Sequence, residues 1–404
     1  MTTESLHRAG APAYAAPADV DRLQRLGLVA GGVGAALCLL GLFLSPTYFF
    51  RAWLVGWVFW MGVTLGCLAI SMLHHLSRGA WGLVVRRVLE AASRTLPVLL
   101  VLFVPIALGM RQLYEWTDQR LVQKDEILQH KQAYLNLSIL PSGYFGRLIL
   151  YFLIWGGFAW ILNRMSLRQD RGDDPGITRR MQLVAGPGLA AYCLAVTFAS
   201  VDWLMSLQPH WFSTIYGVYL MASQGLSALA FLIVFALYLS RREPMSGVLQ
   251  PRHFHDWGKL FLAFVMLWAY FSFSQFLIIW AGNLPEEISF FLPRTRGGWG
   301  WVAIAIALFH FAVPFVLLLS RDLKRNASRL AAVAAMMLVM RWLELLWQVE
   351  PAFHERTVAM YWLYVAAPVT IGGLWLFFFV RELKKRPLLP VNDPYLAEAI
   401  AHEH

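Results

Sequence analysis

The sequence predicts an all-α integral membrane protein with ten transmembrane helices, on three observations. Of 404 residues, 58% are hydrophobic and 14% charged, with a mean hydropathy of +0.54. That composition lies outside the soluble globular range. The apolar residues gather into ten runs, each long enough for roughly 30 Å of hydrocarbon. Lys and Arg alternate between the two sides of those runs.

The runs are 23–44, 52–74, 94–112, 147–164, 182–206, 212–240, 257–281, 299–320, 329–349 and 358–380. Residues 1–22 are polar and Ala/Pro-rich, which predicts a cytoplasmic tail rather than a cleavable signal peptide. The N-terminus, the connections after spans two, four, six and eight, and the C-terminus together hold 24 Lys and Arg. The other connections hold nine, and Arg341 lies inside span nine. This asymmetry places both termini in the cytoplasm. It also assigns the net charge of +10 to the membrane surface rather than to nucleic acid.

After span two, residues 72–91 read MLHHLSRGAWGLVVRRVLEA. Apolar Trp81, Val84, Val85 and Val88 interleave with Arg86, Arg87 and Glu90 there, the pattern of an amphipathic helix lying at the inner interface against anionic lipid. His74 and His75 end span two and point in different directions on a helix. After span three, residues 114–134 are polar and predict a solvated helix or a docking surface for an extramembrane subunit. The basic loop 166–180 turns at Gly172, Asp173, Asp174 and Pro175.

Span five ends in DWLMSLQPHW, residues 202–211, and span six follows at once. An acid inside a membrane helix is a functional candidate by default. Trp203 and Trp211 are expected at headgroup level. The short turn predicts that Asp202, Ser206, His210 and Tyr216 meet in one apolar cleft opening outward. A carboxylate and an imidazole there can hydrogen-bond, and take protons from, a two-ended polar ring such as a quinol. An interfacial helix cap with a satisfied acid explains the same residues.

Span nine ends similarly. Glu344 is followed by Pro351 at the spacing that separates Asp202 from Pro209, with His354 beyond, as His210 lies beyond Pro209. Both spans run outward and four spans separate them, which predicts a parallel repeat. The expected organisation is a tail (1–22), a peripheral helix one (23–51), a first four-helix bundle of helices 2–5 (52–211) and a second of helices 6–9 (212–357). Peripheral helix ten and a cytoplasmic tail complete it (358–404).

Arg341 lies one turn from Glu344 on the same helix face. The pair is either interhelical glue or a titratable carboxylate tuned by a guanidinium. An opposite charge favours the carboxylate and burial the neutral acid. His310 falls roughly 16 Å into span eight at helical rise, beside that acid. With Asp256, Glu90 and His74 at the inner face, these groups form candidate steps of a proton path. Glu286 and Glu287 lie at the outer mouth. Cys38, Cys67 and Cys193 fall in apolar runs with no CxxC or CxxCH pattern, so no metal site, haem or iron–sulfur cluster is expected in this chain.

Residues 72–91, 202–217 (DWLMSLQPHWFSTIYG) and 281–291 (with Trp280 completing the motif WAGNLPEEI) resemble the F subunit of bacterial alternative complex III. That family falls within the NrfD/polysulfide-reductase membrane-anchor superfamily, and the likeness covers most of the chain. The resemblance implies a subunit of a respiratory quinol oxidoreductase in the bacterial inner (cytoplasmic) membrane. Its partners would be a sister NrfD-like subunit, an iron–sulfur protein, a multihaem cytochrome c and other subunits. Cytochrome c or a terminal oxidase would accept the electrons. It further implies a quinone, menaquinone or ubiquinone, for which Asp202 and His210 match the pocket motif. A structural anchor without its own chemistry and a secondary transporter are the competing functions.

Overall fold

The computed structural model describes residues 14–172, 176–353 and 360–401, all helix, turn and coil. Among these residues, ten helices are long and apolar enough to cross a membrane. They are α1 (Val20–Leu44), α2 (Pro46–Ser77), α3 (Arg86–Leu108), α4 (Tyr144–Arg171) and α5 (Ile177–Leu207), then α6 (Tyr216–Ser240), α7 (Pro251–Gly282), α8 (Gly298–Leu319), α9 (Ala327–Ala352) and α10 (Leu363–Leu383). His354, Asp173, Asp174 and Pro175 lie outside the described residues.

The two central helices are α2 and α6, apolar on every side and buried over most of their length. Such all-round apolarity is what an interior helix requires. α2 packs on α3, α5, α6 and α10, and α6 packs on α2, α5, α7 and α9. α4 leans on α5, while α7 and α8 expose most of their surface. α10 is less peripheral than expected, because it is wedged between α1 and α2. Its contact with α1 depends on absent side chains: a Cβ on Gly373 would stand 2.4 Å from the Gly27 carbonyl oxygen. The Leu388 N–H donates to the Tyr14 carbonyl at 2.7 Å, so both described ends meet on one face, here the terminal face.

Prolines and one wide turn shape the helices that carry polar groups. α3 breaks into Arg86–Ser93, Leu96–Val101 and Val104–Leu108, with Pro97 and Pro105 near the starts of the later pieces. Proline cannot donate and crowds the turn before it. Near the break, Phe103 N–H bonds the Leu100 carbonyl. The Trp57 indole donates to the Leu99 carbonyl at 2.7 Å, and Trp53 to Leu102 at 2.9 Å. In α8, Ala307–Ala312 forms a π-turn around His310. Pro314 denies the His310 carbonyl its usual donor four residues on, an identifiable cause of that widening.

Three expectations fail here. The segment expected at the lipid interface is the buried start of α3: Arg86, Arg87 and Glu90 are each at most 3% exposed. The chain beyond α10 folds back over them, which one-dimensional amphipathicity could not register. The polar connection after α3 is three short pieces, Glu115–Thr117, Gln119–Val122 and Glu126–Lys131, rather than one helix. Trp203 and Trp211 are buried in the protein, Trp203 edge-on to Trp57 and Trp211 stacked on Phe290 at 4.1 Å.

Candidate functional site: three buried polar centres

The first centre is built on Asp202, in the last α-helical turn of α5. Arg147 of α4 grips its carboxylate with Nε at 2.9 Å and Nη2 at 2.7 Å, and the Tyr151 hydroxyl donates at 2.8 Å. This fork-on-carboxylate geometry is the strong form of ion pair. Arg147 also donates to the carbonyls of Tyr134 and Ser142 and lies over the Tyr134 ring. Arg147 Nε, Nη1 and Nη2 and the Tyr151 hydroxyl thus all have acceptors, which closes the ion pair on itself. Burial, and then the Asp202 charge, raise the pKa of the Tyr134 phenol.

The second centre is built on Glu344, five residues before the α-helical end of α9, and draws on four helices. Trp268 of α7 donates its indole N–H to Oε1 at 2.8 Å, and the Tyr219 hydroxyl of α6 donates to the same oxygen. Arg341 Nη1 donates to Oε2 at 2.5 Å. His310 Nε2 of α8 lies 3.8 Å from Oε2, too far for a hydrogen bond. Neither His310 ring nitrogen has a hydrogen-bond partner among the described residues, although the residue is fully buried. The Gln348 amide links the centre onward, donating to Tyr219 Oη and accepting from the Tyr216 hydroxyl, both at 2.8 Å.

The third centre lies at the terminal face around Glu90. Arg86 and Arg87 donate to its two oxygens at 2.9 and 2.7 Å, Ser166 Oγ donates at 2.6 Å, and Arg386 reaches it at 3.3 Å. Asp393 accepts from Arg86 at 3.1 Å and from Gln169 at 3.0 Å, while Arg87 also pairs with Asp170. His74 and His75 are both buried nearby, with ring centroids 5.6 Å apart.

The expected cleft joining Asp202, Ser206, His210 and Tyr216 does not form. Ser206 donates to the Asp202 backbone carbonyl at 2.6 Å, not to its carboxylate. His210 is half exposed on the turn and bonds Asp125 at 2.6 Å. Tyr216 belongs to the second centre. Helical phase explains the split: the chain leaves α-geometry at Leu204, so the turn points its later residues elsewhere. These four residues, each with another partner, do not fit one quinone headgroup. Asp256 is half-exposed and pairs with Lys259 at 3.2 Å, outside the three buried centres.

The 202–211 stretch nevertheless bridges two centres. Asp202 serves the first. Gln208 accepts from Arg294 at 2.9 Å, and Arg294 also donates to the Gln348 carbonyl, which closes the far end of the second. Burial lowers the pKa of the Arg294 guanidinium.

Sequence reading missed Arg147, Tyr151, Tyr219, Trp268, Gln348 and Arg294. One signal was available: an intramembrane acid needs a cation, and Arg147 opens an apolar run. Among the described residues no group of three or more His, Cys, Asp or Glu is placed to hold a metal ion. The fold and these centres define a multi-pass membrane protein with charged groups buried among its helices. No protein-family model and no curated protein matches the chain.

Proposed function

We propose that this chain is the proton-translocating membrane subunit of a respiratory quinol:electron acceptor oxidoreductase in a bacterial inner membrane. The terminal face is cytoplasmic in this reading. The observation that carries it is the Glu344 centre: a buried carboxylate served by four helices, beside a buried histidine whose two ring nitrogens have no hydrogen-bond partner among the described residues. A buried ionisable group at such depth is costly and usually marks an ion or proton pathway. An unpartnered polar pair in a native interior also calls for an explanation, and exchange of protons through transient water supplies one.

Glu344 is the group that takes up and releases the proton. Arg341 Nη1, the Trp268 indole and the Tyr219 hydroxyl all donate to its carboxyl and orient it. His310 is the next station, and the Gln348–Tyr216 link leads toward the far face. Quinol contact is assigned to the sister NrfD-like subunit, since the four candidate residues here have other partners. The electron carriers are the iron–sulfur protein and the multihaem cytochrome, with cytochrome c or an oxidase as acceptor. These partners rest on the motif resemblance.

A structural-anchor reading is favoured by one observation: Asp202 and Glu90 are fully ion-paired, as helix glue would be. Affinity purification of the tagged full chain from its native membrane tests the proposal. Haem absorbance and iron should co-purify in fixed ratio with the chain and be absent when it is expressed alone. Purification without any redox partner contradicts the assignment.

A further inference from the structure

Between α3 and α4 lies a groove of about 640 Å³ that touches the third centre only at Arg386. Its long wall runs from Ile149 to Leu167 on α4, about 27 Å at helical rise. Leu96, Leu100, Phe152 and Leu153 make most of that length apolar. Gly156 opens it further, because a Cβ there would meet nothing within 4 Å. The end nearest the terminal face is cationic, lined by Arg94, Arg164 and Arg386.

The acids available to these arginines are already shared. Arg94 approaches Glu382 at 3.4 Å, but Glu382 also serves Lys385. Arg386 reaches Glu90 at 3.3 Å, but that carboxylate holds Arg86 and Arg87 more closely. Asn163 Oδ1 accepts from Arg386 at 3.0 Å and fixes its position. Arg164 has no acidic partner among the described residues and lies over the Trp160 ring at 5.0 Å. The rim therefore carries more positive charge than its acids balance.

We propose that this groove holds an anionic phospholipid from the leaflet at the terminal face. The phosphate sits at the arginine rim, and an acyl chain lies along the apolar wall. Guanidinium groups match phosphate oxygens in charge and planar geometry. Basic pockets between membrane helices are recognised sites for acidic headgroups. A zwitterionic lipid would leave the excess charge unmatched, and a free phosphate would leave the apolar length unused. The inference is independent of the redox assignment.

The test uses the purified full chain in detergent, stripped of lipid and titrated with phosphatidylglycerol, phosphatidylcholine, inorganic phosphate or menaquinone. Native mass spectrometry counts what is retained. Phosphatidylglycerol should bind stoichiometrically, and phosphatidylcholine and phosphate should neither bind nor displace it. Arg164→Gln breaks no ion pair and should weaken phosphatidylglycerol about fivefold, the equivalent of one interfacial basic group. Gly156→Trp should abolish retention by filling the groove, while the thermal midpoint without lipid reports that the variant folds. Retention unchanged in Arg164→Gln overturns the proposal even where Gly156→Trp fails to fold. Equal retention of the two lipids, competition by phosphate alone, or displacement by menaquinone also overturns it.

Discussion

Asp202 and Glu344 are both buried carboxylates near the ends of helices that run away from the terminal face, yet their surroundings differ in kind. Asp202 meets a two-pronged guanidinium from a neighbouring helix, so its charge is matched and its lone pairs are used. Removing one member of such a pair strands the other. Asp202→Asn should therefore destabilise the protein by about 3 to 5 kcal/mol, seen as a lower thermal midpoint in detergent. Asp202→Leu combined with Arg147→Met should recover much of that loss, because no unpaired charge remains. A double variant as unstable as the single one would show that Asp202 has a role beyond pairing. The identities of the two acids were legible in the sequence, since each interrupts an apolar run. Their partners were not, because Arg147 lies 55 positions from Asp202 and Tyr219 lies 125 from Glu344. Pairing over such separations is fixed by helix packing rather than by local pattern.

At the scale of elements, apolar run length gave the ten helices directly. What it could not give was the direction of side chains past a helix end. His210 illustrates the point. It leaves the membrane centres and clamps the far-face connection by bonding Asp125, which itself caps the helix Glu126–Lys131 through the N–H groups of Ile127 and Leu128. The Leu128 N–H, with help from His210, holds the Asp125 carboxyl below its usual range. A depressed carboxylate stabilises the fold above its ordinary pKa near 3.8, and that contribution is lost as pH falls through the lower folded value. Protection of the amides across residues 118–132, taken relative to their intrinsic exchange rates, should thus be high at neutral pH and fall below about pH 4. Asp125→Ala should lower it at pH 7 already, since both cap and clamp are lost. Unchanged protection in that variant would mean that other contacts hold the connection.

For the whole molecule, burial rather than periodicity decides where charge resides. The chain after α10 supplies Arg386 and Asp393 to the cluster at the start of α3, and Asn392 donates to the Asp170 carbonyl at 2.6 Å. Residues that look amphipathic in sequence are thereby taken out of the interface, and only the folded tail reveals it. Deleting residues 388–404 should leave Arg86 without Asp393 and open the cluster, so that amides 86–93 exchange faster while α6 and α9 stay protected. Protection unchanged at 86–93 would show that the α3–α4 contacts suffice.

The proposed proton route is tested most directly at Glu344. Glu344→Gln keeps size and an acceptor for Trp268, removes titration and leaves the Arg341 charge unmatched, so the thermal midpoint of the assembled complex is read alongside. The measurement is protons translocated per electron by the assembled complex in proteoliposomes, with quinol as donor. Fewer protons per electron, at full assembly and with quinol oxidation retained, is the predicted result. Undiminished stoichiometry in the fully assembled variant would contradict it and leave Arg341 and Glu344 as a structural pair.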